Sequence, residues 1–331
     1  MNIQPPSQPP REISVTEPVS HAYEHMKRML FQPFDLGKWF AIGFCAWLAG
    51  LGESGGSGGN FGNFNSFNHQ AQPLTEIRHY YELAQVYVLA NLTWLVPVVS
   101  AVLVLMLSLG VLILWLNSRG KFMFLHCVAL NRAEIDLPWE KYARAANRLF
   151  GFRLLLSLAG LLLTLPLVVI LVVLVFRLLA SGNIDFFRVM PAVGFGLGLL
   201  LLILLLALIH KFMVDFVVPI MYLRGGTCLG AWGEFLRLLA DHAGYFLLYL
   251  LFQLVLSIGL GTLVVTLVLL TCCTAGCLMM IPYVGTVLLL PILIFKRSYS
   301  LYFLAQFGPS YDVFPPPAPP VATPPPGLQP L

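Results

Sequence analysis

Apolar positions in this chain fall into long unbroken blocks rather than alternating with polar ones. Stretches with no Asp, Glu, Lys or Arg run from Trp94 to Leu116, Leu154 to Phe176, Pro191 to Ile209, Tyr245 to Leu270 and Gly276 to Phe295. Each approaches the roughly 20 residues that a helix rising about 1.5 Å per residue needs to cross about 30 Å of hydrocarbon. Barrel strands are shorter and alternate in polarity, so the runs predict spanning helices. A further segment, Trp39 to Leu51, would cover only roughly 20 Å as a helix. It either gains length from Phe34 to Lys38, with the Lys38 ammonium snorkelling to the interface, or is re-entrant. The expected architecture is an all-α polytopic membrane bundle of about six spans, near residues 39–51, 94–116, 154–176, 191–209, 245–270 and 276–295.

A second periodicity lies between the blocks. Trp139-x2-Tyr142 followed by Gly151-Phe152 matches Trp232-x2-Phe235 followed by Gly244-Tyr245, each pair of positions 93 apart. Trp139, Tyr142, Ala143, Ala146, Leu149 and Phe150 form one face at helical spacing, opposite Glu140, Lys141, Arg144, Asn147 and Arg148. Trp232, Phe235, Leu236, Leu239 and Ala243 form the matching face of the second copy, and Tyr23 to Trp39 is a looser third. The pattern predicts three helical hairpins, each entered through an amphipathic cytoplasmic helix; the two matched helices are expected to lie in the membrane interface, with packing of the stripes wholly on the spans as the alternative, equally weighted for the second.

Composition agrees with this class. Only 10% of residues are charged and 58% are hydrophobic, too few charges to cover a water-facing surface. The distribution of charge sets an orientation: assigning Lys and Arg to alternate sides of the six segments puts sixteen on one side and three on the other, which predicts both termini inside. The first 33 residues lack the apolar stretch of a signal peptide. The six cysteines suggest no disulfide framework, five of them lying in or beside apolar sequence. A bacterial cytoplasmic membrane is the expected location, with the lipid bilayer as surroundings and no nucleic-acid partner. Residues 1–19 and the Pro-rich tail 308–331 are expected to be disordered or polyproline-like arms around a membrane domain at 20–307, the tail offering a docking segment to a cytoplasmic protein. The Gly- and Asn-rich stretch from Gly50 to Pro73 reads as a flexible outer loop.

Candidate chemistry is sparse. His21-x-x-Glu24-His25 has the spacing of an inverted zinc-protease motif. It needs a third ligand, and the next acids, Glu53, Glu76 and Glu82, fall on the opposite side by the charge assignment. The same helix carries an apolar stripe of Tyr23, Met26 and Leu30, so an amphipathic anchor accounts for it. Cys272, Cys273 and Cys277 lie in a short turn where small residues let helices approach. His210, Lys211 and Asp215 form a polar cluster at the membrane edge, in which Lys211 and Asp215 are spaced for an ion pair. Gln253 is the main strongly polar side chain within the spans. No catalytic residue, cofactor site or metal site emerges; phosphate-binding glycine loops and nucleophile elbows are absent from the sequence.

The blocks NSRGKFMFLHCV (Asn117 to Val128), Leu137-Pro-Trp-Glu, FVVPIMYLRGG (Phe216 to Gly226) and FQPFDLGKWF (Phe31 to Phe40) resemble a broad group of uncharacterised prokaryotic multi-pass proteins. That group is similar to the membrane domain attached to some glycerophosphoryl diester phosphodiesterases. The resemblance implies a membrane protein of unknown activity, since the chain has no room for a catalytic barrel of about 250 residues. A non-enzymatic structural or interaction module is the leading expectation, a small-molecule or lipid transporter the alternative.

Overall fold

The structure, a computed structural model, describes residues 13–53, 91–181, 186–271 and 274–314. Every regular element among these residues is helical. In chain order they are α1 (Glu17–Phe31), α2 (Leu36–Gly50), α3 (Leu92–Leu130), α4 (Asp136–Lys141), α5 (Ala143–Ser181) and α6 (Phe186–Phe212). A π-helical turn (Met213–Val217) joins α6 to α7 (Val218–Arg224). Then follow α8 (Cys228–Asp241), α9 (Ala243–Leu270), α10 (Thr274–Met279), α11 (Pro282–Leu288) and α12 (Leu290–Ala305). Cys272 and Cys273 lie outside the described residues, as does the stretch 54–90; Cys277 is exposed.

Among the described residues four helices are long and apolar enough to cross a membrane: Thr93–Leu130, Ala143–Leu178, Val189–Arg224 and Ala243–Leu270. A fifth crossing is available if α11 and α12, bent by 63° at their junction, act as one span. The molecule is thus an all-α polytopic bundle, with four such helices or five where about six were expected. The difference falls on α2, which has only 15 residues and caps itself with the Asp35 side chain accepting from the Gly37 N–H at 2.8 Å.

The long helices have two different halves. The most apolar stretches of α3 and α6 contain no buried residue, and Leu162 on α5 is 76% exposed. An apolar surface of that extent is stable against lipid and not against water. The charge-free runs are therefore shafts. The helices continue beyond them, α3 past Leu116 to Leu130 and α6 through the π turn to Arg224. These extensions meet α1, α2, α8, the start of α9 and α12 in a buried base, whose core includes Met29, Ile42, Phe122, Phe216, Phe235, Phe246, Tyr249 and Phe303. Phe216 stacks on Phe235 with centroids 5.3 Å apart and lies edge-on to Phe246 at 5.1 Å. Two left-handed residues end the long helices: Asn131 (φ 55°) after α3 and Gly225 (φ 63°) after α7, whose N–H returns to the Met221 carbonyl at 2.8 Å.

The entry-helix scheme is visible, with a changed register. α1, α4 and α8 precede α2, α5 and α9, and the helices break at Tyr142 and His242. Those breaks are 100 residues apart, not 93, so the matched tryptophans occupy different places. Trp139 lies on a helix of six residues, while Trp232 lies within one of fourteen. The apolar faces turn inward: Tyr142 stacks on Tyr222 at 4.7 Å, and Ala146, Leu149 and Phe235 are buried in the base. These faces thus pack in part on the shafts' extensions, while Leu236 of the second remains 51% exposed.

Described residues at both ends of the chain, expected in the terminal arms, pack on the base. The Ser14 N–H donates to the Gln306 side chain at 2.8 Å and the Gln306 amide donates back to the Ser14 carbonyl at 2.9 Å. Val313 is buried and Phe314 stacks on Tyr302 at 4.2 Å, so residues up to 314 belong to the base. Residues 315–331 lie outside the described part.

Backbone contact between α2 and α3 depends on one glycine. A Cβ on Gly120 would come within 2.5 Å of the Leu48 carbonyl carbon and the Ala49 nitrogen. Gly120→Ala should therefore lower unfolding stability by about 1–3 kcal/mol, because backbone must move to admit the methyl group. Gly110→Ala, with nothing within 4 Å of the added carbon, should be neutral or slightly stabilising. Thermal unfolding of both variants in the same detergent measures the contrast.

Candidate functional site

The feet of the shafts share a charged layer. Glu53, just beyond the end of α2, pairs with Lys121 on α3 at 2.6 Å, Arg153 on α5 at 3.1 Å and His210 on α6 at 3.3 Å. Asn117 extends the junction: its amide donates to the Ala49 and Leu51 carbonyls at 2.6 and 2.7 Å, and its oxygen accepts from Arg153. Asn117 thereby satisfies carbonyls that the end of α2 would otherwise leave without partners. Ser118 also accepts from Arg153, at 3.4 Å.

A second group adjoins the first through the neighbours His210 and Lys211. Lys211 pairs with Asp215 at 2.7 Å and donates to the Gln253 oxygen at 3.3 Å. Tyr249 donates its hydroxyl to Asp215 at 2.9 Å and accepts from the Gln253 amide at 3.0 Å. The π turn contributes directly. Its wider ring, closed by the Val218 N–H on the Met213 carbonyl, disturbs the ordinary helical pairing, and the Val214 carbonyl accepts from Arg297 of α12 at 2.6 Å.

The layer brings together more than the sequence cluster of His210, Lys211 and Asp215. Lys211 and Asp215 pair as their spacing suggests, while His210 faces Glu53, 157 positions away. Placing Glu53 on the opposite side is corrected: it sits with Lys121, Arg153 and His210, all assigned to the inner side by charge. The physical reason is that α2 runs antiparallel to the extension of α3 and not beside its shaft. Lys38 reaches Asn131 at 2.8 Å, Cys45 lies 3.8 Å from Cys127, and the end of α2 meets Asn117. Lys121, Arg153, Arg297 and Asn117 were not singled out in the sequence. A usable signal was there, because Arg153 directly precedes the run starting at Leu154, and Arg297 and Lys121 follow Phe295 and Leu116 within a few residues.

Electrostatics hold the first group together. Burial alone would raise the Glu53 carboxyl, but Lys121 and His210 outweigh it and hold that carboxyl well below the usual carboxylate range. Elsewhere in the base, His126 Nδ1 lies 2.9 Å from the Tyr222 hydroxyl, while its Nε2 is buried with no hydrogen-bond partner among the described residues.

The histidine motif on α1 is otherwise employed. His25 sets Nε2 2.9 Å from the Val128 carbonyl and packs against Phe314 and Tyr302; burial pulls its titration below the ordinary histidine value. Glu24 pairs with Arg28 at 3.0 Å, and His21 lies 3.9 Å from Glu17. Among the described residues no group of three or more His, Cys, Asp or Glu side chains could hold a metal ion. On the outer face of α8, Arg224, Glu234, Arg237, Asp241 and Tyr311 line an open groove of about 650 Å³, with Arg224 paired to Glu234.

A family described only as a family of unknown function (DUF7544) matches residues 13–290. No curated protein and no solved structure matches.

Proposed function

The chain belongs to the family of unknown function DUF7544, and from that premise we propose that it is a non-enzymatic structural or interaction module of a membrane. The observation that carries this reading is the use made of the deep ionisable groups. Glu53 ties α2 to α3, α5 and α6, Asp215 joins the π turn to α9 through Tyr249, and Arg297 ties α12 to the same turn. Charges placed this way fasten the feet of the shafts to one another. The likeness of four stretches to a group of multi-pass proteins similar to the membrane domain carried by some glycerophosphoryl diester phosphodiesterases supports the same view, since that domain accompanies an enzyme without containing its catalytic barrel. In this proposal the base faces the cytoplasm of a bacterial cell, both termini lie there, and the Pro-rich segment beyond Phe314 docks a cytoplasmic protein. The sixteen-to-three division of Lys and Arg supports that orientation.

A small-molecule or lipid transporter is the second reading, favoured by the partial exposure of His210 and Lys211. The deciding experiment compares the full chain with a chain ending at Phe314. A partner that co-purifies in fixed ratio with the former, is absent from the latter, and recaptures the full chain when itself tagged is the expected result. Absence of such a partner, together with solute flux in proteoliposomes abolished by Asp215→Asn, would replace the module by the transporter.

A further inference from the structure

We propose that the charged layer binds the phosphate of an anionic phospholipid. The inference goes beyond the module reading and holds whether or not a protein docks on the base. Its first ground is an imbalance of charge. The elements meeting there supply Lys121, Arg153, Lys211, Lys296 and Arg297, with His210 beside them, against the carboxylates of Glu53 and Asp215. Arg153 and Arg297 are within electrostatic reach of Lys121, and Lys211 and Asp215 are within reach of Lys296, so the two groups form one electrostatic neighbourhood. Both carboxylates are already engaged by cations. Among the described residues Lys296 makes no ion pair or hydrogen bond. An excess of buried positive charge is costly and favours a bound anion.

The second ground is depth. Four charge-free runs end at this layer: Leu116 shortly before Lys121, Leu154 directly after Arg153, Ile209 directly before His210, and Phe295 directly before Lys296. Helices that cross hydrocarbon with these runs bring all five cations to its edge, where lipid phosphates lie. The third ground is access. Lys121, Arg153 and Arg297 form a buried floor, each less than a tenth exposed, whereas the His210 and Lys211 side chains are 38% exposed and Lys296 is half-buried. A phosphate diester on a lipid can approach through that opening with its acyl chains along the exposed shafts, which free phosphate cannot do.

The test titrates the full chain, purified in neutral detergent, with phosphatidylglycerol, phosphatidylcholine or inorganic phosphate and reads bound lipid by native mass spectrometry. Phosphatidylglycerol should bind more tightly than phosphatidylcholine, and millimolar inorganic phosphate should not displace it. Lys296→Gln should weaken phosphatidylglycerol about fivefold, and Lys211→Gln added to it about thirtyfold in all, taking roughly 1 kcal/mol per cation. Lys296→Arg should keep the affinity, and Lys27→Gln, on the exposed face of α1, should leave it unchanged. Equal binding of the two lipids, displacement by inorganic phosphate, or an unaltered Lys296→Gln variant would each overturn the proposal. If the double variant does not fold, the Gln and Arg variants of the unpaired Lys296 decide.

Discussion

Replacing Glu53 by glutamine is expected to lower the unfolding free energy by about 3–5 kcal/mol, the range found when one member of a buried ion pair is removed. The loss comes less from the missing attraction than from what remains. Lys121 and Arg153, buried on α3 and α5, would face one another without a carboxylate between them. A glutamine oxygen can still accept hydrogen bonds but carries no charge. Lys121→Met in the Glu53→Gln background should recover part of the loss, and that recovery distinguishes charge from shape. The pH dependence has a definite sign. A carboxyl held below its ordinary value contributes stability that is full above the unfolded carboxylate range, about 4.3, and is lost as the pH falls below it. His25 acts in the same direction in a separate window: burial lowers its titration, so the folded state loses stability as the pH falls through about 6.5 and the unfolded chain takes up the proton first. Thermal unfolding followed from pH 8 to pH 2 should show both losses in the native chain and only the upper one in Glu53→Gln. A variant as stable as the native chain at neutral pH would remove Glu53 from the account of the base.

Phe216→Ala should cost a comparable amount, about 3–5 kcal/mol. Phe216 is fully buried where the π turn meets α8, α9 and α12, in ring contact with Phe212, Phe235, Phe246, Tyr249 and Phe303. Those five rings come from four different elements, so they cannot all close on the space left by one. Phe216→Leu, which leaves a smaller void, should lose less than half as much. Phe195→Ala, on the exposed shaft of α6, should change stability little, because a side chain facing lipid leaves no cavity when shortened. Unfolding of the three variants in one detergent ranks them.

Part of this architecture was open to reading in the sequence. Charge-free runs identify helices that cross hydrocarbon because lipid admits no unpaired backbone, and Lys211 and Asp215 are four residues apart on one helix face. Four features were not, each for a physical reason. The ends of the runs mark where charges begin, not where helices stop, so α3 and α6 could not be seen to continue into a buried base. Lys121 and Arg153 beside apolar runs look like loop cations, and only the antiparallel seating of α2 on α3 brings Glu53 between them. The 93-residue repeat aligned Tyr142 with Phe235, whereas the helix breaks fall at Tyr142 and His242, which the matched letters do not pair. α2 was legible as short, but its partner was not, because 13 apolar residues fit an interface, a re-entrant turn or a protein interior equally well.

The π turn at Met213–Val217 has a consequence for relatives of this chain. Such a turn holds one residue more than an α-helix of the same rise, and so behaves as a one-residue insertion that rotates everything after it by about 100°. Tyr222, which meets His126 and Tyr142, lies after that insertion. A family member one residue shorter here would present a different side of α7 to α3 and leave the Val214 carbonyl tied within its own helix. It would then need another acceptor for the arginine at position 297 and another neighbour for the histidine at 126. A gap in this turn and substitutions at those two distant positions should therefore occur together.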